Sequence, residues 1–335
     1  MVLIDAIYIN NGGGKVLLDY LVYKLEGTDL KIFYLFDDRI EKQYNIKDSN
    51  VSLYQNSSLK LRYRFYKENS FKFSKVLVLG NIPPPIGINT AVVYTYFHNT
   101  MYLKVPSDFT LVEKLKYILK VFVINKTKKN TDYWLLQSNT LQKQFVERFG
   151  EKSKIKVLPF YPSLEHNNFD IKREKHTFIY VSNAQANKNH LRLISAFCDT
   201  YDKTKSGKLI LTVSSAFPLI LEKIEEAVLK GYPIENIGFV NRNILTLKYL
   251  ESEFVIFPSL TESFGLGLIE GVELGCKIIA ADLPYTYAVI EPSLVFNPND
   301  INSISNTIFE AIYGKIKYSN LKVENKIENL LNILS

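Results

Sequence analysis

Residues 254–281 read FVIFPSLTESFGLGLIEGVELGCKIIAA, and the order of pieces in that stretch decides the fold. Residues 254–257 are a short apolar run, ended by Pro258 and Ser259. A polar turn follows, and residues 266–274 have the spacing of a helix. Gly275 closes it, because glycine accepts the left-handed conformation a helix exit often needs. Residues 277–281, KIIAA, give the next strand. Strand, loop, helix, strand is the repeating piece of a parallel sheet, whose ligands bind beyond the carboxyl ends of the strands. The turn at 258–265 lies at such an end.

Two acids stand there with seven residues between them. Glu262 precedes the helix and Glu270 lies about one turn inside it, so both carboxylates can face one crevice. The backbone N–H groups of Phe264, Gly265 and Leu266 fall among the donors that a helix start leaves unpaired, and that end attracts an anion. Gly265 and Gly267 let a ligand approach the backbone closely. An ionised carboxylate only accepts hydrogen bonds, so beside an anion it is expected to bind sugar or ribose hydroxyls. The plainer alternative is an amphipathic helix with Glu270 on its wet face.

The rest of the chain repeats the same alternation. Residues 2–10 read as a strand, followed by Asn11-Gly12-Gly13-Gly14-Lys15 and a helix at 16–25. Strand, glycine-rich turn and helix can cradle a phosphate, although a simple tight turn looks the same and the GxGxxG spacing is missing. Strands are expected at 30–36, 76–79, 91–97, 133–137 and 155–160, and helices at 110–129 and 140–149, the latter capped by Ser138 and Asn139. Residues 59–65 fit a strand's alternation and a helix face equally. After the polar segment 161–175 a second series begins. Its strands are expected at 177–181, 208–213 and 237–239, and its helices at 190–200, 218–230 and 243–252. Terminal helices are expected at 301–313 and 320–334. This predicts an α/β chain of two doubly wound parallel-sheet, Rossmann-like domains with a cleft between them. Lys188, in the loop 182–190, is placed to neutralise a phosphate as a point charge, or is a solvated lysine at a helix start.

PSLTESFGLGLIEG at 258–271, continued by GCKIIAADLPYTYAVI at 275–290 and VFNP at 295–298, closely resembles the donor-site signature of the retaining glycosyltransferases of family four. The resemblance implies a GT-B fold and a nucleotide-sugar substrate. By it Glu262 contacts the donor sugar, and the Phe264-Gly265-Leu266 backbone, with Ser263 beside it, meets sugar and phosphate. Glu270 holds the ribose hydroxyls. Gly267 stands where the family usually has Pro. The family's glycine-rich turn faces the donor phosphate across the cleft, which gives that role to Gly12, Gly13 and Gly14. A His at the end of a first-domain strand hydrogen-bonds the donor sugar, a role that falls on His98. Lys188 matches a lysine on the diphosphate, but the family's arginine five residues earlier is Asn183 here. Either Lys15 or Arg242 is expected to compensate, or donor affinity drops. The Lys-Asn-His run resembles the bacterial polysaccharide branch. Glu262, His98 and Lys188 are the expected catalytic residues, acting in front-face transfer in which the leaving phosphate helps to deprotonate the acceptor. The implied organisation is an acceptor-binding domain at 1–160, a linker at 161–175, a donor-binding domain at 176–314, and a helix at 315–335 packing back on the first domain.

Composition sets the outer bounds. Hydrophobic residues make up 47% of 335, enough for real cores. The four histidines form no HxxH pattern and Asp37-Asp38 is not an Asp-x-Asp pair, so no metal and no further cofactor are expected. Cys198 and Cys276 read as reduced core thiols of a cytosolic protein. The start, with Asp5 and no basic leader, reads as a strand and not as a signal peptide. Residues 1–165 hold 24 Lys and Arg against 15 Asp and Glu, a net +9, whereas the remainder holds 17 against 19, a net −2. The basic half is expected to sit on the anionic inner membrane surface through 59–75 and 110–129, where cations and aromatics interleave; the plainer alternative is a merely basic solvated surface. The expected partners are a nucleotide-sugar donor and a glycan or polyprenyl-diphosphate-linked glycan acceptor, in O-antigen or capsular polysaccharide synthesis. A nucleotide-sugar epimerase of the same shape is the enzyme alternative. Nucleic-acid binding, suggested by a pI of about 9.0, is disfavoured by the absence of a recognised motif and the neutral C-terminal half.

Overall fold

In the computed structural model, which describes residues 1–40, 44–105, 110–150, 154–164 and 171–335, the short apolar runs become strands of two parallel sheets. One unit comprises residues 1–162 and 324–335, the other residues 163–323.

The first unit runs β1 (Val2–Ala6), α1 (Gly12–Glu26), β2 (Ile32–Asp37), β3 (Val51–Gln55), α2 (Leu59–Asn69), β4 (Lys75–Val78), β5 (Val92–Phe97), α3 (Leu111–Thr127), β6 (Tyr133–Leu136), α4 (Asn139–Phe149) and β7 (Ile155–Val157). Its strand order is β3-β2-β1-β4-β5-β6-β7. All five β1 residues are buried, as expected of a parallel strand covered on both faces. The undecided segment at 59–65 is helical, because Arg62, Phe65 and Tyr66 recur at helical spacing and face inward. The Arg62 guanidinium meets the buried Asp5 carboxylate at 2.7 Å and donates to the carbonyls of Ile82 and Pro83 at 2.9 and 3.0 Å. Tyr66 donates its hydroxyl to the same carboxylate at 2.7 Å. One buried cation therefore ties β1, α2 and the turn after β4 together. Ser138 caps α4 by accepting from the Leu141 N–H, and Gly150 ends it in the left-handed region.

The second unit continues with β8 (Glu174–Tyr180), α5 (His190–Thr204), β9 (Lys208–Leu211), α6 (Pro218–Leu229), β10 (Ile234–Asn236), α7 (Arg242–Glu251), β11 (Ser252–Phe257), α8 (Leu266–Glu273), β12 (Lys277–Ala281), α9 (Pro284–Val289), β13 (Ile290–Glu291), β14 (Leu294–Phe296), α10 (Ile301–Tyr313) and β15 (Asn320–Leu321). Its main sheet has the order β10-β9-β8-β11-β12-β14, and β13 pairs with β15 antiparallel. The last helix, α11 (Ile327–Leu334), belongs to the first unit.

Three expectations are corrected. The strand placed at 237–239 lies at β10, because Gly238 turns the chain with φ +66° and leaves Phe239 exposed. The helix placed at 320–334 begins only at Ile327, since Asn320 and Leu321 pair with β13. Gly12 to Gly14 form the first turn of α1 instead of a loop before it. Of the segment 161–175, residues 165–170 lie outside the described residues, and Glu174 already opens β8.

Candidate functional site

Strand order in the second unit reverses between β8 and β11. The chain leaves β8 towards β9 and leaves β11 towards β12, so the two following loops diverge and open a crevice at their carboxyl ends. Hydrogen bonds stitch these loops together. Tyr180 donates its hydroxyl to the Lys188 carbonyl at 2.9 Å, and the Leu260 N–H donates to the Asn187 carbonyl at 2.8 Å. The side-chain amides of Asn187 and Asn189 donate to the carbonyls of Thr261 and Pro258. Tyr285 donates to the Ser259 carbonyl at 2.6 Å. Asn189 sits at φ +62°, a left-handed conformation that Asn tolerates better than most residues.

This frame holds two opposite-charge pairs. Lys188 Nζ lies 2.6 Å from Glu262 Oε1. Arg242 Nη1, at the start of α7, lies 3.2 Å from Glu270 Oε1 on α8. Glu270 is 4% exposed, and the Tyr249 hydroxyl donates to its other oxygen at 3.3 Å. Burial pushes the Glu270 carboxyl up to about 7, against the opposing pull of Arg242 and Tyr249. Arg242 Nη2 is buried and has no hydrogen-bond partner among the described residues. His190 is buried against the Tyr180 ring. Burial, helped by the Lys188 charge, holds it down to about 3, a neutral imidazole.

The structure thus gathers Glu262 with Lys188 and Glu270 with Arg242. Ser263 and Leu266 are half-buried, Phe264 is buried, and Asn183 is exposed. Gly265 precedes α8 at φ +81°, and a Cβ there would sit 3.0 Å from Leu268 Cδ1. Sequence reasoning missed Tyr180, Asn187, Asn189, Ser259 and Tyr249, which orient the charged groups. It also missed Gly271, where a Cβ would come within 2.6 Å of Val255 Cγ2 and 2.8 Å of Ile278 Cδ1. A glycine inside a helical pattern was the available signal. It sets how closely α8 packs on β11 and β12.

In the first unit the order reverses between β1 and β4, and Gly14 and His98 meet at that end of the sheet. A Cβ on Gly14 would lie 3.0 Å from His98 Cε1 and 3.3 Å from Ile9 Cδ1, whereas Gly12 and Gly13 face open space. His98 Nε2 is 2.9 Å from the Leu79 carbonyl. The Asn81 side-chain amide also lies 3.3 Å from Nε2, so that nitrogen faces a donor as well as an acceptor. Burial lowers the ring's pKa, which favours the neutral imidazole. Asn81, at φ +66°, accepts the His98 backbone N–H at 2.7 Å. Lys15 spends its ammonium on Asp19 at 2.5 Å. Gly14→Ala is expected to cost about 1–3 kcal/mol and to displace the His98 ring. Chemical denaturation and the imidazole proton shifts read both effects. Unchanged shifts would show that the ring has room. Among the described residues no group of three or more His, Cys, Asp or Glu could hold a metal ion.

Known proteins share this fold. Residues 163–327 match the family model described as glycosyl transferases group 1. The O-antigen chain mannosyltransferase RfbU of Salmonella typhimurium is 23% identical over 208 residues, covering 61% of this chain and 56% of that protein. The chain therefore spans about half the length of this curated relative. Sucrose-phosphate synthase from Thermosynechococcus elongatus superposes with a TM-score of 0.72 at 15% identity, over 92% of this chain and 88% of that one. Anabaena HepE, solved with UDP and glucose, gives 0.68 at 14% identity, over 93% and 89%. These likenesses show the GT-B fold. Over residues 163–327, just under half of its length, the chain is similar to the glycosyl transferases group 1.

Proposed function

We propose that this protein is a retaining glycosyltransferase that moves a sugar from a nucleotide-sugar donor to a glycan in bacterial surface-polysaccharide synthesis. The observation that carries the reading is the pairing of Lys188 with Glu262 and of Arg242 with Glu270 around the start of α8. A nucleotide sugar offers hydroxyls to carboxylates and a diphosphate to cations and helix N–H groups, so it satisfies all four side chains. In this reading Glu270 accepts from the ribose, Glu262 from the sugar, and Lys188 with Arg242 bears the diphosphate. The orphaned Arg242 Nη2 supports its use in place of the cation lost at Asn183. Phe264, Gly265 and Leu266 offer backbone N–H groups to the phosphate, beside Ser263. For the first unit, the His98 ring is the candidate partner of a sugar hydroxyl, Gly12 and Gly13 leave room for a phosphate, and Gly14 gives the His98 ring its space.

The bond from the anomeric carbon to the diphosphate breaks, the acceptor oxygen bonds to that carbon on the same face, and the acceptor proton passes to the leaving phosphate. The chain contributes positioning and charge stabilisation, with Lys188 and Arg242 carrying charge that a divalent metal would otherwise take. The acceptor is a glycan, or a glycan linked to polyprenyl diphosphate, which puts the first unit at the inner face of the cell membrane.

A thermal-shift screen with UDP-, GDP- and dTDP-sugars tests the reading. One donor class is expected to raise the melting temperature. Lys188→Ala is expected to lower transfer about tenfold to a hundredfold, with the fold intact. Wild-type turnover in that variant would remove Lys188 from the site, and epimerised donor without glycan product would identify an epimerase instead.

A further inference from the structure

α3 carries an apolar face that nothing among the described residues of its unit covers. On its inner side Val121 and Ile124 pack with Phe97 and Trp134 in the core. On the other side Leu111, Val112, Leu115, Ile118, Leu119 and Phe122 are between 56% and 84% exposed. At about 100° per residue these six share roughly 120° of helix surface, facing away from the core. A surface helix normally turns its one apolar stripe inward, and this helix has a second one facing solvent. An outward stripe of this size marks a binding surface.

The charges around the stripe identify the partner. Residues 111–130 hold six lysines and a single acid, Glu113. Lys114 borders one edge of the stripe and Lys116 the other, while Lys120 Nζ lies over the Tyr102 and Tyr117 rings. Lys126, Lys128 and Lys129 gather at the C-terminal end, with Lys126 Nζ over the Phe122 ring at 5.5 Å. We propose that α3 lies in the plane of an anionic lipid bilayer, its six apolar side chains inserted and its flanking ammonium groups at the depth of the lipid phosphates. A second copy of the chain fits less well, because a two-fold contact would bring the two lysine borders together. The helix has 17 residues, about 26 Å. No helix of the described residues is long and apolar enough to cross a membrane, so α3 lies on the surface. The other basic segment, 59–75, commits Arg62, Phe65 and Tyr66 to the core and exposes three large hydrophobic side chains, Leu59, Tyr63 and Phe71, where α3 exposes six. The inference deepens the membrane part of the functional reading and rests on that part alone.

The full chain would be co-sedimented with phosphatidylglycerol–phosphatidylcholine vesicles and with phosphatidylcholine vesicles, at low and high salt. Binding is expected to the anionic vesicles, and part of it is expected to survive high salt because apolar insertion is not screened. The triple substitution Leu115→Ser, Ile118→Ser, Phe122→Ser is expected to lower the bound fraction by roughly tenfold or more without changing the melting temperature. Phe122→Trp is expected to give blue-shifted emission on adding vesicles, and this readout does not depend on the triple variant's folding. Absent vesicle binding overturns the proposal, as does binding that salt erases and the triple variant keeps. A concentration-dependent dimer that the triple variant abolishes would put a second copy on the stripe instead. Donor-induced thermal shifts separate the two readings. A triple variant that still answers to nucleotide sugar has lost only its anchor, whereas a wild type that binds vesicles but no donor fails only as a transferase.

Discussion

Glu270→Ala is expected to lower kcat/KM for sugar transfer by about a hundredfold, because it removes a charged acceptor from two ribose hydroxyls at once. The more discriminating effect is on pH. Glu270 is buried beside Arg242 and Tyr249, and burial raises it from 4.5 to about 7. Its folded value lies above its unfolded one, so the folded protein holds the extra proton. Stability is therefore expected to fall as pH rises through that window, by an amount on the order of 3 kcal/mol. Donor binding should run the other way. Ribose hydroxyls donate to the ionised carboxylate, so affinity is expected to rise between about pH 6 and about pH 8. Glu270→Gln should flatten both slopes. Calorimetric donor titration across that range checks the binding, and denaturant melts check the stability. An affinity indifferent to pH in the wild type would take the carboxylate out of the ligand's contacts.

Arg62→Met is expected to destabilise the first unit by about 3–5 kcal/mol, a large share of the roughly 5–15 kcal/mol that holds a domain folded. Arg62 is 1% exposed and its partner Asp5 is fully buried. Burial pulls the guanidinium's pKa down, but the Asp5 charge outweighs that and holds it above its ordinary value. Removing the cation strands a carboxylate away from water, with the Tyr66 hydroxyl and the Ile7 N–H as its remaining donors among the described residues. The double variant Arg62→Met, Asp5→Asn should recover part of the loss, since an uncharged pair needs no compensation. Urea melts of these two variants and of Asp5→Asn alone measure the coupling. If the single substitution cost less than about 1 kcal/mol, the pair would behave like a surface salt bridge. Arg62 also holds the carbonyls of Ile82 and Pro83, next to Asn81 and its bond to His98. The loss should therefore reach the His98 ring.

The fold was legible because parallel strands buried on both faces appear as bare apolar runs, as at 254–257 and 278–281, with glycine or proline punctuation between them. Lys188, Glu262 and Glu270 were legible because they lie on the loops and helix start that follow those runs. Their pairing was not, since Lys188 and Glu262 are 74 residues apart and meet only through the reversal of strand order. Tyr180 and Tyr249 looked like ordinary core aromatics, and their hydroxyls act on partners chosen by tertiary packing. Residues 59–65 stayed ambiguous because Arg62 breaks the apolar stripe at the one point where Asp5 neutralises it. The strand expected at 237–239 slipped because its apolar pattern continues past the turn that Gly238 makes.

The paired charges at the crevice of the second unit carry a consequence for selectivity. Lys188 is matched by Glu262 and Arg242 by Glu270, so the crevice is electrically balanced before any ligand arrives. A bare diphosphate would draw away both cations and strand two acids in partly dry surroundings. In the proposed function only a molecule bringing a sugar as well as ribose and phosphates can exchange every partner at once, so the crevice is expected to favour the whole donor over its leaving nucleoside diphosphate, which offers Glu262 no sugar hydroxyl.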